Sequence, residues 1–372
     1  MVTRKSGRMA ALRFFCKPGK AGSIMREKPP LKSMLKSVPL FVALFAVTFF
    51  MLLRGRGLHE LRMTLRFVKP AFLALGALCV FFYIASEALN TRFLLRLFGY
   101  RPRLASCLKY SFCGYFFCAI TPSSSGGQPM QVYYMKKDGV EISHSSLALL
   151  VELAVYQLVA IVLAVLSFLG SLRFFSHLPR GMLAVVAIGL LLNAAVLVFT
   201  YFAIFSHKTA AAIVQFGLRI LAALHVKQVD VLQERAEAQL EQYRDSAALI
   251  RSHPREIVRI ALITIVQIVS LHSISFFVYR ALGLNQFGYL SLLMLQSVLH
   301  ITVSAIPLPG AIGASESGFH LIYRTVYPRR LLGPATVLAR GIGFYLYVAV
   351  SACVVLATHL SLARRAGRDR AL

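Results

Sequence analysis

Six apolar runs near the length that crosses a bilayer constrain this chain more than any other feature. They are Val38–Leu53, Pro70–Leu89, Ser145–Gly170, Met182–Phe205, Ile257–Leu282 and Pro334–Leu360. A helix rises about 1.5 Å per residue, so roughly 20 residues span the hydrocarbon core. The first run is short and needs Leu35 and its neighbours to reach across. Hydrophobic residues make up 58% of the chain and charged residues only 15%, where a soluble domain carries about 25% charged. This excludes an ordinary soluble enzyme and a disordered basic protein. The sequence predicts an all-α polytopic membrane bundle of about six full spans.

Charge refines that prediction. The formal net charge is +27, and 20 Lys/Arg against 3 acids fall within residues 1–109. Interleaved with apolar runs, this basicity orients a membrane protein rather than marking a nucleic-acid binder. The basic tail at 1–35 and the arginines at 364, 365, 368 and 370 in the 363–372 tail place both termini in the cytoplasm. Between them, 36–362 reads as one membrane domain. Its segment 207–256 is unlike the other loops, with seven Lys/Arg nearly balanced by six acids. Leu232, Ala236, Leu240, Tyr243, Ala247 and Ile250 recur there at steps of three and four, the stripe of an amphipathic helix. Packing on the membrane domain is the expected role of that helix, with a partner-binding coiled coil as the alternative. The Ala210–Leu224 run before it suits the membrane surface.

Two further apolar stretches, Leu104–Met135 and Gly288–Tyr327, are broken in the middle. The breaks read Ile120-Thr-Pro-Ser-Ser-Ser-Gly-Gly-Gln-Pro129 and Ile306-Pro-Leu-Pro-Gly-Ala-Ile-Gly-Ala-Ser-Glu-Ser-Gly318. Aligning Pro122 with Pro309 sets Gly126 opposite Gly313. Pro and Gly clusters cannot continue a helix. Non-helical backbone at membrane depth persists only where protein or a watery cavity satisfies it. Paired interruptions in corresponding parts of a chain point to a transporter-like midplane site. With six full crossings, re-entrant hairpins at both breaks enter from opposite sides, as an inverted repeat requires. Full crossings interrupted midway are the alternative.

The first break has the makings of an anion site. A helix restarting after Gly127, with Pro129 in its first turn and Ser125 or Gln128 as cap, presents N–H groups suited to phosphate. Thr121, Ser123, Ser124 and Ser125 add hydroxyls, Gly126, Gly127 and Gln128 complete the turn, and Lys136 and Lys137 follow two to three turns on. Gly310, Gly313 and Ser315 are their counterparts at the second break. The same breaks would also serve simply to pack helices closely. Charges inside apolar runs are costly in lipid and so merit separate weight. Glu316 sits at the second restart with His320 one turn on, as an ion-coupling or headgroup-amine contact. Glu152 and Arg340 fit either a structural Glu–Arg pair or a functional one. Glu87, five residues before Arg92 near a helix end, reads as structural, and His300 as a packed core histidine. The six cysteines show no metal-ligand spacing. No nucleotide-binding, zincin or serine-hydrolase motif occurs. Neither cofactor nor metal is implied.

These motifs resemble the transmembrane region of lysylphosphatidylglycerol synthases, the flippase-like membrane family. The matching residues are Thr121–Pro129, Tyr133 to Gly139, Glu152, the run Pro309 to Glu316, and Arg340 with Tyr345. Relatives often carry Arg directly after the glutamate at the Glu152 position; here Leu153 stands there. The resemblance implies translocation of aminoacylated phosphatidylglycerol or a related lipid in a bacterial cytoplasmic membrane, with protection against cationic peptides. It also implies, in full-length members, a separate cytosolic domain that moves lysine from lysyl-tRNA onto the lipid. About a dozen residues follow Leu360, too few for such a domain. The expected function is therefore lipid translocation with membrane phospholipid as ligand and a separately encoded synthase domain as the partner to seek. A phosphatidylglycerol lysyltransferase, the one reading that needs a nucleic acid, is the alternative; a non-transporting envelope scaffold is the second.

Overall fold

The computed structural model describes residues 66–121, 125–170, 180–223, 229–304, 306, 308, 311 and 313–368. The expected span Val38–Leu53, the basic tail 1–35, and the site candidates Ser123, Ser124 and Gly310 lie outside them. Among the described residues there is no strand. The helices are α1 (Pro70–Leu97), α2 (Leu104–Ile120), α3 (Gly127–Lys137), α4 (Ile142–Gly170), α5 (Arg180–Phe205) and α6 (His207–Ala223). They continue as α7 (Val229–Ser252), α8 (Pro254–Ala281), α9 (Tyr289–Ser304), α10 (Ala314–Tyr323), α11 (Arg329–Arg340) and α12 (Tyr347–Arg368). A π-helical turn, Gly341–Leu346, joins the last two.

Among the described residues, five segments are long and apolar enough to cross a membrane: Pro70–Leu97, Ile142–Gly170, Leu183–Phe205, Pro254–Ala281 and Arg329–His359. Their outward faces carry exposed apolar side chains such as Phe82, Leu166, Leu191, Phe199, Leu262 and Val266. Such contiguous apolar surface is what lipid covers. The chain is a multi-pass membrane protein. Lipid tails are as apolar as leucine, so close packing rather than water exclusion holds the helices together. The interior accordingly mixes Val80, Ile84, Val278 and Leu295 with large rings, Tyr279, Tyr323, Tyr327 and Tyr347.

α1 and α8 run antiparallel. The Lys69 amide donates to the Ala281 carbonyl at one end (3.0 Å). Two-thirds of the way along, Asn90 Nδ2 donates to Thr264 Oγ1 (3.0 Å).

The two broken stretches are both hairpins. In the first, Gly127 faces Cys118 and the Gly114 carbonyl near the tip, and Gly114 faces Gln131. At the mouth, Asp138 just after α3 accepts from Tyr110 Oη (2.6 Å) and pairs with Lys109 Nζ (2.5 Å), near the start of α2. The chain thus leaves by the face it entered. In the second, Gly318 of α10 faces Leu299 and Val303 of α9. Tyr323 Oη donates to Gln296 Oε1 (3.0 Å), so α10 too returns toward the start of its partner.

The hairpins open on opposite faces. The first opens beside the end of α12, where Tyr134 Oη and His359 Nδ1 lie 3.3 Å apart. The second opens beside the end of α8, where Tyr279 accepts from the Phe287 amide (3.2 Å) and its ring meets Tyr327. One crossing, a hairpin and a further crossing therefore occur twice with inverted direction. This is the arrangement of an inverted repeat.

The amphipathic helix α7 packs on the membrane bundle at the mouth of α4. Gln239 Oε1 accepts from the Ser143 amide (2.9 Å) and Gln242 Oε1 from Ser143 Oγ (2.8 Å). Tyr243 Oη donates to the Ala203 carbonyl at the end of α5 (2.9 Å), and burial there pushes its phenol above the ordinary tyrosine range. That face is called the α7 face below.

Candidate functional site

The two hairpin tips meet at one cavity of about 270 Å³. Cys118 and Ala119 reach it from the tip of α2, and Ser304, Ala311 and Ser315 from the second break. Tyr83 of α1, Tyr156 of α4, His300 and Gln296 of α9, and Tyr347 of α12 complete a wall of rings and polar groups. In a lipid-spanning bundle such a wall is where irregular backbone finds partners.

The cation at the cavity is Arg340, held by Glu316. Gly313 takes a φ of +85°, a conformation glycine adopts without strain. This turns its amide toward the Glu316 carboxylate three residues on, and Oε2 accepts at 2.6 Å. A glutamate at the third position of α10 also complements the positive helix end. Oε1 meets Arg340 Nε at 2.8 Å. Glu316 is buried, with 5% side-chain exposure, against 17% for Arg340. The guanidinium lies over the Phe344 ring, 4.3 Å from its centroid. The π-helical turn after Arg340 carries Gly343 and Phe344 to the cavity wall; insertions of this kind recur at functional sites.

A second set of polar groups lines the cavity from elements other than those of the ion pair. Tyr156 Oη lies 3.1 Å from His300 Nε2, and the His300 ring packs against His272 at 5.2 Å between centroids. Gln296 Oε1 accepts from Ser275 Oγ (2.6 Å) as well as from Tyr323. The cavity can therefore hold a compact polar group in contact with one cation and several hydrogen-bonding side chains.

The sequence profile described as "Lysylphosphatidylglycerol synthase TM region" matches residues 38–351, which takes in both hairpins, Arg340 and most of the helices above. The chain belongs to this family. It is also similar to a UPF0104 membrane protein of Archaeoglobus fulgidus, 25% identical over 258 residues that cover 66% of this chain and 74% of that protein.

Within this family member, the sequence-derived candidates separate into groups. Ser315 and Arg340 line the cavity and Glu316 binds Arg340. The Glu–Arg pair expected for Glu152 and Arg340 forms with Glu316 instead. Glu152 lies in α4 against Thr91 of α1. His320 shares a helix with Glu316, but its Nε2 is buried without a partner among the described residues, since the carboxylate is directed at Arg340 and Gly313.

Thr121, Gly126 and Gly127 shape the first tip rather than the cavity wall. Thr121 Oγ1 donates to the Phe117 carbonyl (2.6 Å) and accepts from the Gly126 amide (2.9 Å), closing the end of α2. α3 starts at Gly127, with Gly126 rather than Ser125 or Gln128 at the capping position. Both of those side chains are exposed. Lys136 and Lys137 are exposed at the far end of α3, about 15 Å from its start at 1.5 Å per residue, at the hairpin mouth rather than its tip. Glu87 does not meet Arg92, because five residues turn a helix by about 140°. It accepts from Gln131 Nε2 (3.1 Å) and ties α1 to α3.

Sequence reading missed the residues that hold the second tip. Asn193, a lone amide inside the apolar run of α5, donates from Nδ2 to the Ile301 carbonyl (3.1 Å) and accepts from Ser304 Oγ (3.1 Å). It thereby braces the broken end of α9. The available signal was its isolation, since a polar amide in a span needs a partner.

Proposed function

We propose that the protein moves the headgroup of a phospholipid, aminoacylated phosphatidylglycerol or a related anionic or zwitterionic lipid, across the bacterial cytoplasmic membrane. The observation that carries this reading is the meeting of two oppositely entering hairpins at one cavity lined by Arg340, which Glu316 holds. Dragging a headgroup through hydrocarbon strands its polar groups without partners, at several kcal/mol each. A mid-depth cavity with a cation, hydroxyls and an amide replaces part of the lost water. Guanidinium groups suit phosphate oxygens, and Ser315 and Gln296 suit the remaining donors and acceptors of a headgroup. Each hairpin closes the cavity toward one face. Rocking one hairpin and its flanking helix against the other opens the faces alternately. Glu316 keeps Arg340 neutralised between loads and orients it during them.

The same reading puts the α7 face in the cytoplasm, where Arg101, Arg103, Lys109, Lys136 and Lys137 gather. Greater protection from cationic peptides follows if the lipid delivered outward carries an amine.

The test is translocation of fluorescent phosphatidylglycerol in reconstituted vesicles, read by reduction of outer-leaflet dye. Glu316→Gln keeps side-chain length and an acceptor for Arg340 while removing the charge. It is expected to slow translocation about ten- to a hundredfold, the worth of one charge-assisted hydrogen bond, at equal amounts of incorporated protein. A wild-type rate in Glu316→Gln would remove the pair from the site. If the unaltered protein leaves every phospholipid class offered in place, lipid translocation itself is wrong.

A further inference from the structure

Away from the hairpin cavity, a second cavity of about 260 Å³ opens on the α7 face. It lies between the end of α5, the turn into α6, and α7. One wall is apolar, with Ile204 and Phe205. The other carries Arg244 and Arg251, seven residues and so two turns apart on one face of α7. Tyr243, next to Arg244, also lines the cavity, its hydroxyl committed to the Ala203 carbonyl. Among the described residues, the ion-pair contact of Arg244 is a long one of 3.8 Å to the neighbouring Asp245, and its side chain is 62% exposed. The Ser206 hydroxyl is taken up by the Thr209 amide at the start of α6.

Its surroundings fix the depth of this cavity. Tyr201, Phe202 and Phe205 form an exposed ring cluster at the end of the α5 span, with Tyr201 and Phe205 centroids 5.0 Å apart. Aromatic side chains at a span end sit at the headgroup level. α6 leaves the span with Ile213 and Phe216 exposed, the character of a helix lying in the interface. The two guanidinium groups thus face a cavity at headgroup depth whose floor is continuous with lipid-covered surface.

We infer that this cavity binds an anionic phospholipid of the α7-face leaflet, its phosphate on Arg244 and Arg251 and its acyl chains along the exposed aromatic face of α5. A lipid satisfies both the cations and the apolar floor, whereas a soluble anion or a polar protein segment satisfies only the first. The bound lipid bridges the α5–α6 turn to α7 and holds that helix on the bundle. This site is independent of the translocation reading and does not share a residue with the hairpin cavity.

The chain contains no tryptophan, so Phe205→Trp supplies a single fluorophore in the cavity. Quenching is measured in bilayers where phosphatidylcholine is replaced stepwise by brominated phosphatidylglycerol or by brominated phosphatidylcholine. At about 1 kcal/mol per basic residue near the surface, the charged lipid should be preferred about fivefold or more. Adding Arg244→Gln and Arg251→Gln to the reporter should bring the two lipids to equality. Equal quenching by both lipids in Phe205→Trp overturns the proposal, as does a preference that survives loss of both arginines. A matching preference at Phe82→Trp, on the lipid face of α1, would reduce it to general attraction and overturn it as well. Inorganic phosphate in the buffer should leave the preference intact; if it abolishes the preference, the ligand is a free anion and not a lipid.

Discussion

Replacing Arg340 by Met should lower stability by about 3–5 kcal/mol, the usual result of stranding one member of a buried ion pair. Glu316 has no alternative route to water: its side chain is 5% exposed, and the bond from the Gly313 amide satisfies only one of its oxygens. Combining Arg340→Met with Glu316→Leu should cost less than Arg340→Met alone, because the stranded carboxylate is gone and what loses a partner, such as the Gly313 N–H, is uncharged. Glu316→Gln should be milder again, for a reason visible in the geometry. Arg340 borders the cavity and lies over the Phe344 ring, so its charge retains polar and aromatic surroundings when the carboxylate is removed. The ring contact contributes about 0.5–1 kcal/mol and does not change the ranking. The readout is the fraction of monodisperse protein remaining after graded heating in detergent, run for Arg340→Met, Glu316→Leu and the double as a cycle, with Glu316→Gln beside it. A double variant as unstable as the sum of the singles would mean that Glu316 and Arg340 do not support one another.

The residues behind that prediction also show where sequence reading stops. Glu316 and Arg340 were both conspicuous, because a charge inside an apolar run is costly and so stands out. Their pairing was not, since it depends on which faces of α10 and α11 turn toward each other. The hairpins were legible because Pro, Gly and Ser clusters interrupt otherwise continuous apolar runs, and the matched spacing of Gly126 and Gly313 announced the repeat. Only φ at Gly313 shows why one of them bonds a carboxylate while Gly126 accepts a place behind Thr121. The spans within the described residues were recognised but drawn short: α1 runs on past Leu89 to Leu97 through Asn90 and Thr91, polar residues that bond α8 and α4 rather than ending the helix. Tyr83, Tyr156 and His300 lie within apolar runs where a ring is unremarkable. Their convergence on one cavity is a product of packing.

Gly189 marks a place where close packing between helices has little slack, and Gly189→Ala should destabilise the protein by about 1–3 kcal/mol. A Cβ there would lie 2.8 Å from the Ile301 carbonyl oxygen and 2.9 Å from Thr302 Cα. Both are backbone atoms of α9, so no side chain can rotate away and α5 must separate from α9. Small residues at helix crossings do this work in membranes, where no water is left to drive association. Separation would also lengthen the bond from Asn193 to Ile301 and loosen Ser304, which lines the cavity. Gly318→Ala is the internal comparison. Its added methyl meets Leu299 Cδ1 at 2.7 Å and Val303 Cγ1 at 3.1 Å, side-chain ends that can shift. If rigidity of the α5–α9 contact sets the tip of the second hairpin, Gly189→Ala should lose both heat resistance in detergent and translocation. Gly318→Ala should lose markedly less of each. Equal losses would place the critical contact within the hairpin itself rather than between the hairpin and α5, and the bracing role given to Asn193 would fall with it.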